Sequence, residues 1–140
     1  MCFLKKVTVV FILSLWFMGT SANPSFSGEK SRVFFTAPTD KADISSPVKV
    51  TMGAENFTVE PAGVVKPGAG HLHIMVDTDC VAAGVLVPKD ATHLHYGKGQ
   101  MEAELALSPG AHTLCLQAAD GAHIALAGDG MTNKIAIVVK

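Results

Sequence analysis

Short apolar stretches separated by glycine and proline recur along the chain from Arg32 onward, and this pattern constrains the fold more than any other feature. No window sustains an apolar i, i+3, i+4 repeat over three helical turns. The nearest, Ala82–Leu86, is interrupted by Gly84 and followed by Pro88. The 13 Gly and 7 Pro of the chain favour turns between short elements. We therefore predict almost no helix in the mature chain.

Eight short segments have the composition and spacing of β-strands. Between Met101 and Leu107, for example, apolar residues alternate with Glu102 and Glu104, as expected of a strand with one buried face. Strands at this spacing predict an all-β fold, an immunoglobulin-like antiparallel β-sandwich of about seven short strands. The eight segments are Arg32–Thr36, Val48–Gly53, Phe57–Glu60, His71–Asp77, Thr92–Tyr96, Met101–Leu107, His112–Ala118 and Lys134–Val139.

The N-terminus has the order of a secretory signal peptide. Lys5 and Lys6 precede an apolar run, Val7–Met18, and small residues follow it up to Ala22. The run is shorter than the roughly 20 residues that a membrane-spanning helix needs. We expect cleavage near Ala22, which divides the chain into a signal peptide (1–22), a flexible lead-in (23–31) and one β-sandwich domain (32–140). The mature protein is expected in the bacterial periplasm or secreted, with no stable membrane anchor.

The charge of the chain argues against nucleic acid as a partner. The formal net charge is −1, and removing Lys5 and Lys6 with the signal peptide makes it −3. No cluster of Lys and Arg is present to neutralise phosphates or anionic lipid headgroups. The composition predicts neither a nucleic-acid-binding protein nor a polybasic membrane anchor, and it does not identify a protein partner.

Two cysteines remain after signal cleavage, because Cys2 lies within the signal peptide. In an exported chain, Cys80 and Cys115 are expected to form a disulfide. Such a bond would close a loop of about 36 residues and contribute roughly 4 kcal/mol in the chain-entropy model. A thiolate metal site or a redox pair is the alternative, although the spacing is unlike Cys-x-x-Cys.

A Pro-Gly turn indicates a corner between two strands near residue 110. The turn, Pro109-Gly110, lies just before His112, where immunoglobulin-like domains often carry a tyrosine that bonds back to the corner backbone. We interpret His112 as a buried corner histidine with a structural role.

The tripeptide His-Leu-His occurs twice and is the main candidate for chemistry. Because residues i and i+2 of a strand share a face, His71 and His73 project together, and so do His93 and His95. Neutral imidazole is a good ligand for zinc and copper. If the two strands are neighbours, the four imidazoles can converge on a metal ion, but the sequence does not establish that they are.

The sequence offers further candidate ligands, and it also allows roles for the four histidines that involve no metal. Met75 and His123 are possible additional ligands, although the sequence favours core packing for Met75 and an exposed loop position for His123. The four histidines can also form a hydrogen-bonded network that fixes strand register, or bind a small anionic ligand.

Three segments together resemble a bacterial exported domain family of unknown function. They are Gly70-His71-Leu72-His73, the run from His93 to Gln100 (His-Leu-His-Tyr-Gly-Lys-Gly-Gln), and Pro109-Gly110-Ala111-His112-Thr113-Leu114. That family typically carries Gly-His-His-His and His-Leu-His-Phe-Gly-x-Gly-Gln. The resemblance covers about residues 37–139 and implies an immunoglobulin-like periplasmic sandwich without an established activity. Leu72 replaces the central histidine of the family's triplet, and Tyr96 replaces its phenylalanine.

Three functions follow from the sequence. The leading hypothesis is a small periplasmic protein that binds copper or zinc for metal handling, with a metal ion or small ligand as its partner. The second is a non-catalytic structural or interaction module of the cell envelope. The third is a metal-dependent oxidoreductase of superoxide-dismutase type, for which the further ligand spacings are missing, so the sequence favours a protein that is not an enzyme.

Overall fold

The computed structural model describes residues 29–140, and these form nine β-strands. The predicted signal peptide and most of the predicted lead-in lie outside the described residues. Within residues 29–140 no helix is present, and accordingly none is long and apolar enough to cross a membrane. The strands are β1 (Arg32–Ala37), β2 (Asp43–Ile44), β3 (Val48–Glu55), β4 (Thr58–Val59), β5 (Ala69–Val76), β6 (His93–Tyr96), β7 (Glu102–Leu105), β8 (Gly110–Ala119) and β9 (Thr132–Val139).

The strands form two sheets that pack face to face, which confirms the predicted all-β sandwich. The smaller sheet has the order β1-β3-β7, and the larger has the order β2-β9-β8-β5-β4, with β6 paired to β5 beside β4. Apolar side chains from alternate positions fill the space between the sheets. The largest fully buried side chains among them are Leu72, Ile74, Leu114, Leu116, Ile137, Val48 and Val50.

Each of the eight predicted segments overlaps a strand, and the structure adds a ninth, so residues 29–140 hold more strands than the predicted number of about seven. The added strand is β2, which pairs in parallel with β9, and β4 pairs in parallel with β5, so the sandwich is not purely antiparallel. Strand β2 has only two residues, one of them an aspartate, and it lacks the alternation by which the sequence identifies strands.

Strand β5 is buried on both faces, because a further layer covers the outer face of the larger sheet. Segment 78–91 forms much of this layer, and we call it the covering segment. Its Val87 packs with Met75 and Cys115 of the sheet. The predicted disulfide between Cys80 and Cys115 is confirmed, with the two Cα atoms 5.7 Å apart. Both faces of β5 are therefore largely shielded from solvent.

A buried amide adds a second connection between the covering segment and the sheet. The side chain of Gln117 accepts a hydrogen bond from the Val81 N–H and donates one to the Val81 carbonyl, both at 2.8 Å. Because Gln117 is almost fully buried and both ends of its amide are satisfied, this contact fixes the start of the segment beside the disulfide.

Candidate metal centre

The first two histidines of the site are on the outer face of β5. Side chains alternate along a strand, so Leu72 and Ile74 enter the core while His71 and His73 face the covering layer. Only 0% of His71 and 1% of His73 are exposed to solvent. Two imidazoles are thus held at fixed positions with little access to bulk water.

Strand β6 supplies the third histidine. It pairs antiparallel with β5, and His95 lies directly opposite His73. Leu94 and Tyr96, on the other face of β6, pack against the core. The two His-Leu-His segments are therefore neighbours in space, which the sequence left open.

The fourth histidine comes from a tight turn between β8 and β9. The carboxylate of Asp120 accepts hydrogen bonds from the N–H groups of Ala122 and Ile124, at 2.8 and 3.0 Å. His123 follows in the left-handed backbone region, with φ of 67°, and its N–H donates to the Asp120 carbonyl. Few non-glycine residues adopt this conformation, although Asn, Asp and His do so more often than others. The turn directs the His123 side chain toward β5.

The four rings lie at the corners of a near-regular tetrahedron. We call this set the four-histidine cluster: His71, His73, His95 and His123. The six distances between their ring centres run from 4.8 to 6.1 Å, and five of them fall between 4.8 and 5.1 Å. A tetrahedron with edges of about 5 Å has its centre about 3 Å from each corner, and an ion about 2.0–2.1 Å from a ring nitrogen lies roughly 3 Å from the centre of that ring. The cluster thus has the dimensions of a four-coordinate site.

One nitrogen from each ring faces the middle of the cluster. These atoms all lie within 4.8 Å of one another, and Nε2 of His71 is 3.0 Å from both Nε2 of His73 and Nδ1 of His123. Hydrogen bonds leave three buried ring nitrogens without a protein partner, namely Nδ1 of His71, Nδ1 of His73 and Nε2 of His95. A bound ion would give Nε2 of His95 a partner. If Nε2 of His71 and Nε2 of His73 also bound the ion, the ring proton of each would lie on Nδ1.

The surroundings keep the imidazoles in the form that binds metals. Burial, followed by the neighbouring His123 and His95, lowers the pKa of His71 to about 4. Burial, followed by His71 and His95, lowers the pKa of His73 to about 3. The pKa of His95 is lowered by burial first, and then by His123 and Lys89. These rings are neutral at neutral pH, and neutral imidazole is the ligand form.

A family comparison covers the part of the chain that carries this site. Residues 50–140, which include every member of the four-histidine cluster, match the family described as Domain of unknown function (DUF4399). The chain belongs to the DUF4399 family. No match to this DUF4399 chain is found among curated proteins or among solved structures.

Two of the candidate ligands of this DUF4399 chain lie outside the cluster. His93 is opposite Met75, two residues along the strands from the His73–His95 pair, and its Nδ1 is 2.9 Å from Oδ1 of Asp90. Met75 is fully buried and packs with Val87 beneath the covering segment. The sequence showed that His93 and His95 share a face of their strand. They lie opposite different residues of β5, however, because His93 pairs with Met75 and His95 pairs with His73.

Two features of the site were missed by sequence reasoning. The first is the full membership of His123 in the cluster, because the sequence named it only as a possible addition; the turn signal Asp120-Gly121 was the available indication. The second is Gly97, where an added Cβ would collide with the ring of His95. A glycine two residues after a histidine on the same strand face is the signal that could have identified this contact.

Proposed function

We propose that this DUF4399 protein binds one zinc or copper ion through its four-histidine cluster. The observation that carries the proposal is the near-tetrahedral arrangement of four imidazoles, contributed by three separate segments of the chain. Tetrahedral geometry favours zinc over the cupric ion, which prefers tetragonal sites. Because four protein ligands complete such a shell, the proposed role is metal handling or buffering rather than turnover.

The proposal also includes the compartment in which the ion is bound. The order of charged, apolar and small residues before Ala22 supports export to the periplasm or beyond. The disulfide between Cys80 and Cys115 supports the same assignment, because such bonds persist in oxidising compartments. N-terminal sequencing of the protein from a periplasmic extract should begin near Asn23, whereas an intact Met1 in the soluble cytoplasm would contradict export.

A structural role is the second candidate, and the hydrogen bonds of the cluster favour it. Nε2 of His71 lies at hydrogen-bond distance from nitrogens of both His73 and His123. A network of this kind can tie β5 to the turn after β8 without any ion. The partnerless Nε2 of His95 argues against it as the whole explanation, because an ion would give this nitrogen a partner and an unsatisfied buried polar group costs about 1–3 kcal/mol.

The two candidates are separated by the metal content of tag-free protein. Mature protein is purified from the periplasm, offered zinc or copper, dialysed to remove the excess, and analysed by elemental analysis. The test variant combines His95→Gln with His123→Asn, because both residues are half-buried and asparagine tolerates the left-handed backbone of position 123. The matched control is His93→Gln, which changes a histidine outside the cluster.

We expect about one ion per chain in the wild type and in the His93→Gln control, and almost none in the double variant. Wild-type protein without bound metal would overturn the proposal and leave the hydrogen-bonded network in the lead. If the His93→Gln control lost the metal while the double variant kept it, the four-histidine ligand set would be wrong. Circular dichroism of each variant shows whether the sandwich is intact.

A further inference from the structure

A cleft of about 390 Å³ opens beside the four-histidine cluster. Three of the four histidines, His73, His95 and His123, line one side of it. Residues 86–89 of the covering segment also line it. The fourth histidine, His71, is fully buried behind them. An ion held by the cluster would therefore be within reach of a molecule in this cleft.

The charges around the cleft select for anions. Lys89 is the one charged residue other than histidine that lines it, and no carboxylate does. The ammonium group of Lys89 lies near enough to His95 to contribute to the lowered pKa of that ring, after burial and His123. A divalent ion in the cluster would add to this positive charge. A negatively charged group is thus favoured between Lys89 and the ion.

Apart from Lys89, the wall that the covering segment contributes to the cleft is apolar, and it is firmly held. Leu86 is 59% exposed, although it belongs to a backbone bridge with Ile124. The N–H of Val87 donates a hydrogen bond of 2.9 Å to the His123 carbonyl. The disulfide at Cys80 anchors the start of the same segment. The exposure of Leu86 therefore belongs to an ordered surface, and ordered apolar walls with few polar groups are typical of small-molecule sites.

We propose that the cleft binds a small organic monocarboxylate, with its carboxylate beside Lys89 and attracted by the charge of the cluster-bound ion, outside the shell of four histidines, and with its short aliphatic chain on Leu86 and Pro88. This inference rests on the proposed metal function, because the ion supplies part of the attraction. The volume suits a molecule near the small end of the usual range for ligand sites, about 300–1,000 Å³.

The test is a titration of zinc-loaded protein followed by NMR chemical shifts, with zinc measured in the same sample. The probes are acetate, butyrate and the uncharged butyramide. Each added CH₂ that contacts the wall should strengthen binding about fourfold. Replacing Lys89→Gln should weaken butyrate binding about tenfold, and Lys98→Gln, at a lysine outside the cleft lining, should leave it unchanged.

The outcomes separate this inference from the metal proposal. If zinc is present but butyrate causes no chemical-shift changes, or if Lys89→Gln does not weaken butyrate binding, this inference is wrong and the metal proposal is unaffected. Equal binding of butyrate and butyramide would overturn the charge selection, and equal binding of acetate and butyrate would overturn the role of the wall. Absence of zinc from the sample would overturn the metal proposal and this inference together, and elemental analysis identifies that case directly.

Discussion

Gly97 determines where the ring of His95 can lie. It comes one residue after the Leu72–Tyr96 pair of β5 and β6, and an added Cβ would collide with the imidazole of His95. Its φ is outside the left-handed region, so alanine fits the backbone without strain. An alanine at this position is therefore expected to disturb the metal site without disturbing the fold.

We expect Gly97→Ala to weaken zinc binding by about 10- to 100-fold, the range found when groups that orient metal ligands are changed. The ring must move away from the new methyl group, and with it the ligand nitrogen. Zinc affinity is measured by competition with a chromophoric chelator. The unfolding midpoint of zinc-free protein should stay close to the wild-type value, and a large drop there would show that the fold, rather than the site, has been damaged.

His112 makes the stability of the fold depend on pH. Its Nε2 is 2.8 Å from the carbonyl oxygen of Ser108, and its Nδ1 is 2.8 Å from Oδ2 of Asp77. Both partners are acceptors, so both nitrogens donate in the protonated ring, and the bonds to Ser108 and then Asp77 raise the pKa of His112. The bond to Ser108, four residues upstream, is the back-bond that the corner motif predicts for this position.

The raised pKa of His112 fixes the sign of the pH effect. The stabilisation is fully present below the unfolded pKa of about 6.5 and is lost as the pH rises through the higher folded pKa. The difference in free energy of unfolding between wild type and His112→Gln should therefore be larger near pH 6 than near pH 9. Urea denaturation at several pH values measures it, and taking the difference cancels the other histidines. A constant difference, or one that grows with pH, would refute this assignment.

At the scale of strands, alternation in the sequence predicted most of the fold, because a strand with one face in a core must alternate. It correctly separated Leu72 and Ile74 from His71 and His73. It could not give the pairing register of β5 with β6, because register depends on contacts between distant segments. That register places His95 opposite His73, and it places His93 two residues away, opposite Met75 and beside Asp90.

The turn that carries His123 lay beyond the reach of alternation for a different reason. Its geometry comes from local hydrogen bonds to Asp120 and from a residue in the left-handed backbone region, and neither feature produces a periodic pattern in the sequence. The segment Asp120-Gly121 indicates a turn, but it does not show that the backbone of His123 bonds to Val87 of the covering segment or that the turn lies beside β5. Alternation in the sequence therefore identifies the histidines of the cluster that lie on strands, but it does not place the one that lies on a turn.

The covering segment should couple the disulfide to the metal site. It carries Val87, which bonds to the backbone of His123, and Cys80 and Val81 fix its beginning. Replacing Cys80→Ser together with Cys115→Ser should lower the free energy of unfolding by about 2–5 kcal/mol. It should also weaken zinc binding, because the segment that supports the turn of His123 is less restrained.

The coupling is checked by measuring urea denaturation and zinc affinity on the same preparations. Gln117→Ala is the companion variant, since it removes the other tie at Val81 and keeps the disulfide. We expect it to shift both quantities in the same direction as the cysteine variant, and by less. Zinc affinity that is unchanged in both variants would show that the turn of His123 holds its place without the covering segment.

For the whole molecule, an ion in the cluster would act as a cross-link between distant parts of the chain. It would join β5 and β6 to the turn at His123, which is 52 residues from His71. These segments come together only in the folded state, so binding free energy becomes folding free energy. At a free zinc concentration about 100-fold above the dissociation constant, the stabilisation is about 2.7 kcal/mol.

For a domain of this size, that stabilisation should raise the Tm by roughly 10 °C. Calorimetric melting of the same protein with zinc, without zinc and after addition of a chelator measures the shift and its reversal. The variant with His95→Gln and His123→Asn should melt at the same temperature in all three conditions, because it lacks two of the four ligands. The His93→Gln variant should keep the full shift. A shift of equal size in the double variant would place the stabilising ion elsewhere on the molecule, and no shift in the wild type would leave the four histidines as a purely hydrogen-bonded support for the sandwich.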